Sequence, residues 1–236
     1  MTDKTHSVAF RDQPIDIHCH RVGETTHLQI LSLDTHELAG ETDGLNIPSN
    51  CFISIGIHPW FIERQNPDHP IQKLESYRDH PKLLAVGECG LDKTVTTDLA
   101  RQISLFEQQI TLAEQWRKPL MIHCVRAYNE LLQLKKKGCT SQPWIIHGFN
   151  NNPELAKQLL KQGCYLSLGK ALLREQSNAA KTLQRMPLDR LFLETDAAAD
   201  ISISAIYAAA AKITGLAIAS LRRQIVRNFT HVFLND

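Results

Sequence analysis

Near the start of the chain, Asp16-Ile17-His18-Cys19-His20 sets two imidazoles two positions apart. On an extended strand alternate side chains share a face, so His18 and His20 point the same way about 7 Å apart, with Asp16 beneath them. Two imidazoles so placed can close on one divalent cation. A lone His-x-His also fits two packed or surface histidines. The chemistry therefore depends on further ligands, and these stand at the ends of apolar runs. Glu88 lies in Gly87-Glu88-Cys89-Gly90-Leu91-Asp92; His123 and His147 close the runs 119–123 and 143–147; Asp196 ends Glu194-Thr195-Asp196. Taken singly, Glu88 reads equally as a loop acid, His123 and His147 as strand-end histidines bonded to backbone, and Asp196 as a helix cap. Taken together, four imidazoles and two carboxylates suit two divalent ions about 3.5–4 Å apart with a carboxylate between them. Such a donor set admits Zn, Mn, Fe, Ni or Co, and Mg less readily.

Convergence requires elements that bring residues 16 to 196 to one place. Strand-like runs recur at 14–19, 28–33, 51–57, 83–87, 119–123, 143–147, 164–168 and 190–194. Several are continuously apolar, as expected of strands buried on both faces of a parallel sheet. Helical periods occupy 98–116, 127–137, 153–161, 174–185, 203–214 and 217–233. Eight strands alternating with helices predict an α/β fold, a (β/α)8 TIM-type barrel, whose C-terminal rim collects the strand-end residues. The first two strands are separated by too few residues for a crossover helix, and 34–50 reads as loop, so the helical ring is expected to be incomplete after those strands.

At 236 residues, with 43% hydrophobic and 22% charged side chains, the chain suits one domain over 1–236, with 1–13 as a loose leader. The net charge of +1 makes no global case for or against nucleic acid. No apolar run reaches the length of a bilayer span, and none near the start suits a secretory signal. Six cysteines without a C-x-x-C pair fit buried, reduced thiols and a cytoplasmic protein. No obligate protein partner is evident.

The motifs Asp16-Ile17-His18-Cys19-His20, Gly56-Ile57-His58-Pro59-Trp60, Gly87-Glu88-Cys89-Gly90-Leu91-Asp92, Ile122-His123-Cys124, Ile146-His147-Gly148-Phe149, Glu194-Thr195-Asp196 and Asn228-Phe229 together resemble the TatD-like metal-dependent hydrolases, within the amidohydrolase-type barrels. The resemblance runs from Asp16 to about Phe233. It implies a two-metal phosphodiesterase, often a 3′-to-5′ deoxyribonuclease, acting through a hydroxide that bridges the metals. One metal would take His18, His20, Glu88 and Asp196; the second would take Glu88, His123 and His147. His58, at the end of the third strand, reads as a structural turn histidine or a substrate phosphate contact, and the resemblance implies the contact. The chain departs from the family in three ways. Asp196 runs into Ala197-Ala198-Ala199-Asp200 rather than a proline and a longer loop bearing substrate-holding residues. Arg21 stands where a leucine is frequent, and the helix between the first two strands is missing.

Asp196 is the candidate to orient the attacking water and take its proton, and Glu88 is expected to be indispensable. Asp16 and Asp92 are candidate acceptors for the outer N–H groups of ligand histidines, Asp92 alternatively capping a turn. Arg126 is a candidate phosphate clamp or an exposed arginine at a helix start. Trp60 could stack on a base or pack at the rim. Lys135-Lys136-Lys137 and Arg222-Arg223 read as solvated helix surface rather than a nucleic-acid patch. The expected substrate is a nucleic acid or a small phosphodiester. Alternatives are an amide or ester hydrolase with the same metals, or a non-catalytic family member.

Overall fold

The computed structural model describes residues 13–23, 26–38, 47–65, 70–138 and 140–234. Eight strands follow one another around a single sheet: β1 Ile15–Cys19, β2 Leu28–Asp34, β3 Cys51–Gly56, β4 Leu83–Asp92, β5 Leu120–Val125, β6 Trp144–Ile146, β7 Tyr165–Leu168 and β8 Leu191–Leu193. Every neighbouring pair is parallel. A parallel Cys19–Asp196 bridge joins the first strand to the segment after the last, so the sheet is a nearly closed (β/α)8 barrel. Its wall is built from runs such as Trp144-Ile145-Ile146 and Leu191-Phe192-Leu193, buried throughout as parallel strands between layers require.

The outer helices are α1 Pro70–Glu75, α2 Leu99–Trp116, α3 Tyr128–Lys137, α4 Pro153–Lys161, α5 Asn178–Leu183, α6 Ile203–Thr214 and α7 Ile218–Phe233. Several of their starts follow capping chemistry. Asp98, Asn152 and Ser202 each accept a backbone N–H from the first turn, and Gly215, at φ 69°, ends α6. Helix α2 also steadies the rim: Gln102 accepts from the Asp92 N–H at 2.8 Å, and Gln109 from the Ile57 N–H at 2.8 Å. Among the described residues, no helix joins β1 to β2, and only a 3-10 turn at Thr35–Glu37 follows β2. Among those residues, too, no single helix is long and apolar enough to cross a membrane.

Three local expectations are corrected. β4 does not end at 87 but continues through Asp92, because Glu88 and Asp92 are polar residues with partners inside the wall. The 174–185 helix is only α5; the chain first makes a 3-10 turn, Lys170–Leu173, that buries Ala171 and Leu172. Between β3 and β4, where the sequence reading assigned no helical period, lie the 3-10 turn Pro59–Arg64 and short α1. Of the leader 1–13, residues 1–12 lie outside the described residues, as does Cys139.

Gly87 and Gly90 let β4 press against β5. Their φ angles are +142° and +135°, and a methyl group on either would collide with the carbonyl of Met121 or His123.

Candidate metal centre at the barrel mouth

β1 delivers His18 fully buried and His20 half-exposed, their rings edge to face with centroids 5.0 Å apart. Asp196 reaches them because its own backbone is sewn to β1. Its N–H donates to the His18 carbonyl at 2.9 Å, and its carbonyl accepts from the His20 N–H at 3.3 Å. Asp16 fixes the residue before it, accepting from the Thr195 N–H at 3.0 Å and the Thr195 hydroxyl at 2.6 Å. Asp16 therefore braces Thr195 rather than orienting an imidazole. Asp196 holds φ 55°, a left-handed conformation uncommon outside glycine and tolerated where surroundings fix it.

Glu88 lies at the centre, 5% exposed. Its Oε2 is 3.2 Å from His18 Nε2 and 3.4 Å from His20 Nε2. Its Oε1 is 2.9 Å from His123 Nδ1 and 2.8 Å from both His147 Nε2 and His58 Nε2. Asp196 Oδ1 lies 3.7 Å from His18 and 3.5 Å from His20. One carboxylate thus faces two clusters of imidazoles, one through each oxygen.

Outer contacts set the ring orientations. His123 turns Nε2 to Asp92 Oδ2 at 3.0 Å, leaving Nδ1 for the centre. The same Asp92 accepts from the Trp60 indole at 2.7 Å and, through Oδ1, from the Thr94 N–H at 2.8 Å and its hydroxyl. Asp92 thus does both jobs foreseen for it. His147 Nδ1 lies 3.6 Å from Glu194, a fully buried carboxylate that accepts the Gly148 N–H at 2.5 Å. His58 accepts the Trp60 N–H at Nδ1, which places its ring proton on Nε2, toward Glu88. Asp34 holds that turn by accepting the His58 N–H at 2.7 Å.

The donor set fits divalent cations. Neither ring nitrogen of buried His18 has a hydrogen bond of good geometry, nor does His147 Nδ1. Three groups can each converge on one ion: His18, Glu88 and His147; His18, His20 and Asp196; and His58, Glu88 and His123. Burial pushes the Glu88 carboxyl up, but the imidazoles of His147, His123 and His18 outweigh it and hold the group well below its usual range. Burial likewise opposes ionisation of Asp196, yet His20 and the charges of His147 and His18 bring it down to about 2. Both are ionised at neutral pH.

The centre opens into a cavity of about 440 Å³. Leu33, Trp60 and Phe61 form an apolar wall, and Trp60 is 56% exposed. The expected clamp Arg126 does not line it: the residue sits exposed at φ 56° just past β5. Lys170, in the 3-10 turn after β7, is the basic side chain that does. Reading the chain alone missed Lys170 and Glu194. Glu194 had a signal, a carboxylate directly beside Thr195-Asp196. Lys170 had none. Of the lysine run, Lys135 lies over the Trp144 ring, 4.6 Å from its centroid, and Lys137 is 3.9 Å from Glu107.

Known proteins resemble this chain in sequence and in fold. The 3′-5′ ssDNA/RNA exonuclease TatD of Edwardsiella piscicida is 32% identical over 155 residues, 64% of this chain and 59% of that protein. The human 3′-5′ RNA nuclease TATDN2 is 35% identical over 150 residues, 61% of this chain and 20% of its own length. The matched stretches thus span less than two thirds of those relatives. The Escherichia coli TatD homologue YjjV superposes with a TM-score of 0.80 at 19% identity, covering 95% of this chain and 99% of that one. The family model for TatD related DNases matches residues 11–234, almost the whole described barrel with its histidine- and carboxylate-lined mouth, and the chain belongs to that family.

Proposed function

We propose that the protein is a two-metal phosphodiesterase that cleaves nucleic acid strands. The observation that carries this reading is the double-faced Glu88 carboxylate, with Oε2 toward His18 and His20 and Oε1 toward His123 and His147. One cation would be held by His18, His20, Glu88 and Asp196, and the other by Glu88, His123 and His147. Bound there, divalent cations would make water a stronger nucleophile near neutral pH and offset the charge that builds on the phosphoryl oxygens.

The remaining work falls to the side chains. Asp196 is ionised, lines the cavity and is a third exposed, so a water can approach it; it orients the attacking water and accepts its proton. His58 lines the cavity with its Nε2–H toward Glu88, and a cation taking that Glu88 oxygen would release the N–H to donate to a phosphate oxygen. Lys170, rather than Arg126, supplies a mobile positive charge to the same group. The Leu33, Trp60 and Phe61 wall gives a base or sugar an apolar surface, and the nuclease names of the relatives support a nucleic acid substrate. The five described cysteines are buried and unpaired, which supports a reducing compartment such as the cytoplasm.

The test is a turnover screen of metal-reconstituted protein on 3′-ended single strands, a p-nitrophenyl phosphodiester, a phosphomonoester and an amide, with Glu88→Ala and His123→Ala as controls. Phosphodiester and strand cleavage should dominate and disappear in both variants. Turnover confined to the amide, or unchanged in Glu88→Ala, would overturn the reading.

A further inference from the structure

A second cavity, of about 380 Å³, lies over β1 and β2, the strands joined without a crossover helix among the described residues. It is walled on one side by the short stretch after Asp196, where Ala197, Ala198 and Ala199 leave space that larger side chains would fill. The two cavities share Asp196 and Ala197, so they meet at the residue that would handle the attacking water. Among the described residues each is lined by one Lys or Arg side chain, Lys170 in the first and Arg21 in the second, where Asp16, Asp196 and Asp200 also line the wall. Arg21 directly follows His20 and is exposed, so its guanidinium can reach an anion in the cleft without burying an unpaired charge.

A basic group on either side of a metal centre matches the spacing problem posed by a polynucleotide, in which charged phosphates repeat along a flexible strand. We propose that the cleft over β1 and β2 is a second nucleotide-unit subsite, in which Arg21 meets the phosphate next to the scissile one while the reacting unit lies against Trp60. This rests on the nucleic-acid reading above and adds to it a preference for substrates of more than one phosphate. The missing helix and the small residues after Asp196 thereby gain a common consequence: both clear the path of the strand. A guanidinium is suited to this contact because its planar fork can bind a phosphate through two parallel N–H donors.

The test compares bis(p-nitrophenyl) phosphate, which carries a single phosphate, with oligothymidylates of increasing length. Each is assayed with wild type, Arg21→Ala, Arg21→Lys and Ala198→Trp, the last to fill the cleft. Arg21→Ala should raise KM for a pentathymidylate about tenfold more than KM for the diester and lower the salt dependence of binding by about one phosphate equivalent. Arg21→Lys should recover part of the loss, and Ala198→Trp should reproduce the length-dependent loss. Fluorescence anisotropy of a labelled pentathymidylate on the Glu88→Gln protein should show the same ranking without turnover. Equal effects on diester and oligonucleotide, or no effect on either, would overturn the subsite while leaving the phosphodiesterase reading in place. Wild-type protein that cleaves the diester but no oligonucleotide, or neither, would overturn the nucleic-acid reading and the subsite with it.

Discussion

The indole N–H of Trp60 is bonded to Asp92 Oδ2 at 2.7 Å, and the same oxygen meets His123 Nε2 at 3.0 Å. An exposed tryptophan at the mouth is thereby tied through one carboxylate to a ring at the centre. Asp92→Asn should weaken metal retention or activity about 10–100-fold, since a partner one step out from a ligand fixes its tautomer and aim. Trp60→Phe keeps the ring but removes the donor, and its loss should be smaller. Competition with a chelator, read alongside kcat, separates the two.

Glu194 offers a test confined to half of the centre. Glu194→Gln keeps an oxygen for the Gly148 N–H but removes the charge beside His147. A metal titration should then resolve two steps, the one assigned to His123 and His147 weakened about tenfold or more and the one at His20 and Asp196 little changed. Equal weakening of both steps would contradict the partition.

Protons and cations compete for the same imidazoles. Hydrogen bonds to Asp196 and Glu88 lift His20 to about 9 in the metal-free protein, against its ordinary 6.5. That pairing stabilises the metal-free fold fully below the ordinary value and is lost as pH rises toward the raised one. Metal binding strengthens over the same interval. The gap in Tm between metal-loaded and metal-free protein should therefore widen from about pH 6 to 8.5. A gap that narrowed would be inconsistent with His20 as a ligand.

The glycines of β4 separate collision from mere conformation. Gly90→Ala drives a methyl into the His123 carbonyl and should cost more than about 3 kcal/mol or prevent folding. Gly163→Ala, at φ +80° with no atom within 4 Å, should cost only about 1–2 kcal/mol. Urea denaturation of the two variants checks the contrast.

The barrel and the convergence of its histidines and acids were legible because strand-end histidines and acids interrupt apolar runs at recognisable points. His123 and His147 are examples, each at the end of an apolar strand. What escaped depends on geometry that local pattern does not encode. Arg126 sits three residues past His123, yet it has a left-handed backbone and does not line the cavity. Lys170 follows β7, two strands around the closed barrel from His18 in β1, and enters the cavity from the tight turn that the chain makes there. Asp16 shares parity with His18, yet both its carboxylate oxygens accept from Thr195, a partner 179 residues away that local pattern cannot announce. Short α1 buries only Leu74 and carries too little periodicity to announce itself.

The barrel's last gap is spanned by the Cys19–Asp196 bridge, and Asp196 is also one of the side chains that would grip a cation. An ion held jointly by His18, His20 and Asp196 would thus act as a clasp between the beginning and the end of the ring. Withdrawing it should let that seam breathe, with amide exchange quickening first at His20 and Asp196, the two N–H groups that stitch it.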